Sequence, residues 1–268
     1  MNPNNNKIGL ALGSGGVRGL AHIGVIKVLL KNKIHIDYIS GSSAGALVGA
    51  YLATFGEIET LEKLILKKSK DFLPLFFDFS LRGGVLNGEK ISIFLEKILN
   101  NTQFSETKIP LSIITTDLIS GQAVTISSGS IVPAVRGSIS IPVVFKPLKH
   151  LDKLLVDGGL SDPVPVDILI ENGANKVIAV NLYHKNEFKD REFTFSKVVL
   201  RSTRIAMHNL SKISVKNANL ILNPDTSNID DLKITDYFKT KTIKKIIAIG
   251  EKEALLHLLE IKKLKNNI

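Results

Sequence analysis

The chain of 268 residues contains no cysteine. That absence excludes disulfides, thiolate nucleophiles and cysteine-ligated zinc or iron–sulfur centres together. No uninterrupted apolar run approaches the ~18 to 20 residues a membrane-spanning helix requires. The chain is therefore expected to be soluble or peripheral, in the cytoplasm by default, with any peripheral contact on the inner face of the membrane. Residues 1–6 are polar and the apolar stretch after them is soon broken by glycines, so they do not read as a signal peptide. Internal repeats, extended low-complexity tracts and linker-like stretches are also missing, which excludes solenoid and disordered architectures. What remains is ordinary globular composition, 44% hydrophobic and 22% charged. We expect one domain over residues 1–268, with a core at about 7–182 and a C-terminal helical extension at about 196–268.

The net charge of +10 would favour nucleic acid, an anionic membrane surface or an acidic substrate. No nucleic-acid-binding motif accompanies the lysines, so no nucleic-acid partner is expected. They gather near Lys67, Lys68 and Lys70 and again over 239–265. A solvated charged face and a lipid-headgroup surface are both open readings.

Periodicity places strands at about 7–12, 36–40, 109–116, 123–127, 143–148, 154–156, 176–182 and 220–222, and helices at about 17–30, 46–54, 58–70, 90–99, 132–138, 196–215 and 240–264. Gly56 is placed to end the second helix. Two short strand–turn–helix units in succession at the N-terminus argue for an α/β protein, three-layer α/β/α with a mainly parallel central sheet. Residues 71–80, with Phe72, Phe76, Phe77 and Phe79, would serve as core or line an acyl-chain tunnel or lid.

Gly41-Ser42-Ser43-Ala44-Gly45 stands between a strand and a helix. In that context G-x-S-x-G means a strained turn that lifts a serine hydroxyl toward substrate. Ser43 is the candidate nucleophile, and Gly41 and Gly45 supply the missing Cβ atoms that the turn needs. A serine hydroxyl needs a base to take its proton. His184 and His208 come late enough in the chain but sit in no recognisable loop signature. Asp157 is the stronger candidate, since it ends a short apolar strand, where α/β sheets bind ligands, and Gly158-Gly159 follow it. The glycine loop at 13–19 opens a helix, and the amides of Gly15 and Gly16 are candidate donors to a developing oxyanion, with Arg18 supporting the loop. The same loop fails as a dinucleotide fingerprint because Arg18 stands at its last position, and fails as a P-loop because it lacks Gly-Lys-Ser/Thr.

The glycine loop Gly15-Gly16-Val17-Arg18-Gly19-Leu20-Ala21-His22, the serine elbow, Thr116-Asp117, the stretch at 134–142 and Asp157-Gly158-Gly159 occur in order, and jointly they resemble the patatin-like phospholipases, Ser–Asp dyad acyl hydrolases. The resemblance spans about 7–182. It implies Ser43 as nucleophile, Asp157 as base, Gly15 and Gly16 as oxyanion hole, a structural His22, a phospholipid or lysophospholipid ester as substrate and no cofactor or metal. The alternative is a vestigial site on a membrane- or partner-binding module. Oligomeric state is not legible. Two positions depart from the family pattern: Ser14 replaces a frequent glycine, and Asp162, where asparagine is common, is expected to disturb the titration of Asp157.

Overall fold

A computed structural model describes residues 6–67, 88–150, 152–184, 194–229, 236 and 239–266. The expectations for Lys68, Lys70 and 71–80 lie outside the described residues.

Strands β1 (Ile8–Leu12), β2 (Tyr38–Ser42), β3 (Leu111–Asp117), β4 (Ala123–Ile126), β5 (Leu148–His150), β6 (Lys153–Asp157), β7 (Lys176–Val180) and β8 (Leu220–Leu222) form one sheet in the order β5-β6-β3-β2-β1-β7-β8, with β4 also on β3. The pairs around β1, β2 and β7 are parallel, whereas β4, β5 and β6 join antiparallel. The sheet is thus mixed, mostly parallel.

Strand side chains alternate between two faces, and each face has its own core. Ile8, Leu10 and Leu12 of β1, with Ile178 and Val180 of β7, pack under α1 (Leu20–Lys31), α2 (Ala44–Phe55), α4 (Glu89–Leu99), α5 (Ile131–Ser138) and α8 (Thr240–Leu256); α3 (Glu59–Lys67) joins that core through Leu61. Ala11, Val177 and Ala179 face the other way, against Leu169 of α6 (Asp167–Glu171) and the end of α7 (Phe195–Ser214) at Val215. Three layers result, as expected from the sequence.

Register on β3 positions the site. Ile114 pairs with Ser42 of β2 and Thr125 of β4, so those strands lie on opposite edges. Thr115 pairs with Val124 of β4 and Asp157 of β6, so β6 lies opposite β4, on the edge that β2 has just left. Strands β2 and β6 therefore meet nearly end to end along β3, which sets Asp157 one register step from Ser42.

The C-terminal helix departs from the single element expected. It breaks at His257 and resumes as α9 (Leu258–Asn266), which lets Ile261 reach full burial. Helix α8 crosses α1 at Gly24 and Gly250: a Cβ on Gly24 would strike Ile247 O and lie 2.6 Å from Glu251 N, and one on Gly250 would strike Ala21 O. Because the obstacles are backbone, no rotamer change relieves them. Gly24→Val should lower unfolding free energy by about 1–3 kcal/mol, read as a fall in the urea midpoint at unchanged slope.

Candidate active site

The elbow at Ser43 follows from two close backbone approaches. A Cβ on Gly41 would lie 2.5 Å from Gly45 O and 2.7 Å from Ala46 N, and one on Gly45 would strike Leu12 O. Glycine at both places lets α2 start directly over the ends of β1 and β2. Ser43 itself sits at φ 54, ψ −119, a region that side-chain-bearing residues rarely occupy. Its amide donates to Ser138 Oγ at 2.8 Å, and that hydroxyl donates to Ile114 O at 2.6 Å.

The structure brings Ser43 and Asp157 together. Ser43 Oγ donates to Asp157 Oδ2 at 2.7 Å, and Gly159 N donates to Oδ1 at 2.8 Å. Both residues are buried, Ser43 at 4% exposure and Asp157 at 1%. Burial raises the Asp157 pKa from the ordinary 3.8 to about 6, against the opposing pull of the bonds from Ser43 and Gly159. The Asp157 main chain is held as well: Asp157 N donates to Ser140 O at 3.0 Å, and Thr116 Oγ1 donates to Asp157 O at 2.8 Å. Gly158 fits because a Cβ there would strike Ile114 O.

The glycine loop touches both halves. Gly19 abuts Ala44 beside the elbow, and Gly159 lies where a Cβ would be 2.7 Å from Ser14 Oγ. Gly13 N donates to Val180 O and Ser14 N to Pro163 O, whereas the amides of Gly15 and Gly16 bond to none of the described residues. Gly16 is at φ +56 with open space on its Cβ side, and Gly15 rests on Leu182. Arg18 donates to Leu182 O at 3.0 Å and stacks over Tyr183. His22 Nε2 donates to Gly13 O at 2.7 Å, and burial pushes its pKa down to about 4, so it is a neutral brace. Ser14 is more than a tolerated replacement: its hydroxyl meets the Tyr183 hydroxyl at 2.8 Å, which ties the loop to the end of β7.

Neither histidine considered as a base contacts the dyad. His184 is 4.0 Å from Asp225 and His208 stacks edge-on against Tyr183. The Asp157 titration is set by burial, Ser43 and Gly159, without Asp162; Asp162 is itself raised to about 6 by burial and by Asp167, with Ser214 and the Val164 amide opposing. The expected disturbance of Asp157 by Asp162 is therefore corrected: Asp162 points toward α6 and α7.

Sequence reasoning missed the part played by α5. Ser138 holds the Ser43 amide and Ser140 the Asp157 amide. Buried Arg136 locks that helix end by donating to Ser140 Oγ at 2.6 Å and stacking on Phe145. The stretch at 134–142 was the available signal.

Residues 10–170 match the family model described as patatin-like phospholipase. An uncharacterized NTE family protein of Mycobacterium tuberculosis is 36% identical over 177 residues, covering 66% of this chain and 49% of that protein. A patatin-like phospholipase domain-containing protein of Caenorhabditis elegans is 32% identical over 193 residues, 66% of this chain and 17% of that one. The chain thus spans about half the length of the mycobacterial relative. The crystal structure of VipD from Legionella pneumophila has a similar fold, with TM-score 0.55 at 16% identity, covering 96% of this chain and 67% of that one. A model match over more than half of the sequence assigns the chain to a family: it is a patatin-like phospholipase family member.

Proposed function

We propose that the chain is a serine acyl hydrolase that cleaves fatty-acyl esters of phospholipids or lysophospholipids. The observation that carries this is the buried 2.7 Å contact between Ser43 Oγ and Asp157 Oδ2. Ser43 Oγ attacks the ester carbonyl carbon while its proton passes to Asp157. Negative charge builds on the carbonyl oxygen, where the amides of Gly15 and Gly16 stabilise it without reorganising. The tetrahedral adduct expels the alcohol, which takes the proton from Asp157, and leaves an acyl-Ser43 ester. Water, deprotonated by Asp157, then attacks that ester and frees the fatty acid and Ser43.

A carboxylate of ordinary pKa is a weak base at neutral pH, and the rise to about 6 brings Asp157 closer to the hydroxyl it must deprotonate. The lipid class is supported by family membership and by a relative named lysophospholipase NTE1 in Mycosarcoma maydis, 32% identical over 179 residues that make up 10% of that protein. A vestigial site would not need a strained serine braced by α5 against a desolvated carboxylate.

Labelling with a fluorophosphonate followed by peptide mass mapping tests this reading. Stoichiometric modification at Ser43 is expected, with parallel loss of p-nitrophenyl ester hydrolysis. Hydrolysis that persists in fully labelled protein, or label on another serine, would refute it.

A further inference from the structure

The two ends of the sheet present different surfaces. At the carboxyl end, which holds Ser43 and Asp157, β3 runs on from Thr115 to Asp117 and turns into β4 through Leu118 and Ile119. Ile119 is 80% exposed and Leu118 half exposed. The β5–β6 hairpin lies alongside, with Leu118 N donating to Leu154 O at 2.8 Å. Between Ser140 and β5 the chain presents Val143, 46% exposed at φ +71, rare for a β-branched residue. Across the site Phe195 opens α7 at 87% exposure. Ser211, about 24 Å further along that helix by its rise per residue, meets Asn181 just past β7, and Asn219 N then reaches Val177 O near the start of β7, so α7 runs down against β7 and begins beyond the same edge.

Cations flank the apolar tip. Lys146, Lys149 and Lys153 are exposed on the segment that forms the β5–β6 hairpin, with Asp152 the acid among them. The turn's own polar groups are tied inward: Asp117 accepts from Ile119 N and Ser120 Oγ, and its carbonyl from Gly121 N. An apolar side chain on such a turn can leave water without carrying unsatisfied amides with it.

The lysine-rich C-terminus lies at the other end. Leu264 O accepts from Asn6, beside the start of β1, and Lys265 donates to Lys33 O below α1. Docking through Lys262, Lys263 and Lys265 would turn Ser43 away from the bilayer.

We propose that the β3–β4 turn and the β5–β6 hairpin dock the chain on an anionic lipid bilayer, Ile119 entering the headgroup region and Lys146, Lys149 and Lys153 meeting lipid phosphates. This deepens the hydrolase reading and rests on it for the orientation of the site toward its substrate. Among the described residues no helix is long and apolar enough to cross a membrane, which suits a surface of this kind.

Cosedimentation with vesicles tests it, and needs no turnover, so it fails independently of fluorophosphonate labelling at Ser43. The intact protein should bind phosphatidylcholine–phosphatidylglycerol vesicles and bind phosphatidylcholine vesicles more weakly. Ile119→Asp should weaken binding about tenfold or more, from the lost burial of one apolar side chain. Lys149→Glu with Lys153→Glu should weaken it by at least about fivefold per lysine, whereas Lys262→Glu with Lys263→Glu should leave it unchanged. Unchanged urea midpoints and soluble-ester rates in the Ile119 and lysine variants would show intact folds. No binding by the wild type, wild-type binding by Ile119→Asp, or loss confined to the C-terminal variant would each overturn the proposal.

Discussion

Ser43→Ala is expected to lower kcat/KM for a p-nitrophenyl acyl ester by about 10⁴–10⁶-fold, because the proposed mechanism loses the atom that would form its covalent intermediate. The fold should survive. The amide at position 43 still reaches Ser138, and alanine fits wherever the serine Cβ fitted. A second consequence separates a dyad from two neighbouring groups. The Ser43 hydroxyl is one of two donors that pull the Asp157 pKa down against burial. Its removal leaves Gly159 N alone, so the Asp157 titration should move above about 6 in the variant. Carboxyl ¹³C shifts of Asp157 followed against pH in both proteins would show this. Wild-type turnover by the variant, or an Asp157 titration that ignores the substitution, would remove Ser43 from the mechanism.

Much of this site was legible because its parts are local. Glycines at 41 and 45 are demanded by backbone atoms a few residues away or on the next strand, so the requirement is written as a short motif. The parallel centre of the sheet followed in the same way, from successive strand–helix units. What was not legible is non-local. Asp157 could be identified as a strand-end carboxylate, but its adjacency to Ser43 arises because β6 enters antiparallel along the β3 edge that β2 vacates. No periodicity within β6 encodes that register. Ser138 and Ser140 are small polar residues with no intrinsic signal of function, and they matter only because α5 ends between the two strands. The break at His257 is similarly tertiary: no proline or glycine marks it, and the gain is the burial of Ile261.

Asp157→Asn is expected to trade activity for stability. The amide is nearly isosteric with the carboxylate: its oxygen can accept from Gly159 N and its NH₂ can face Ser43 Oγ, but it cannot take a proton. On the proposed mechanism, loss of the general base should cost about 10²–10⁴-fold in kcat/KM. The wild-type kcat/KM should rise with pH through about 6, where the buried carboxyl ionises, and the residual rate of the variant should lack that rise. Stability moves the other way. The folded pKa of about 6 exceeds the ordinary 3.8, so the folded state holds its proton after the unfolded chain has released it. The wild type therefore loses stability as pH rises from about 4 to above 6, by at most about 3 kcal/mol at 1.36 kcal/mol per pKa unit. Asparagine has no charge to bury and escapes that loss. Asp162, also raised to about 6, titrates alike in both proteins and cancels in the comparison. Urea midpoints should nearly coincide at pH 4, and the variant should be the more stable by about 1–3 kcal/mol at pH 8. Equal midpoints at both pH values would mean that the carboxylate is solvated in the folded protein. The desolvation that would prepare Asp157 for its proposed part as a base would then be absent, and with it the reason for the proposed dyad to work without histidine.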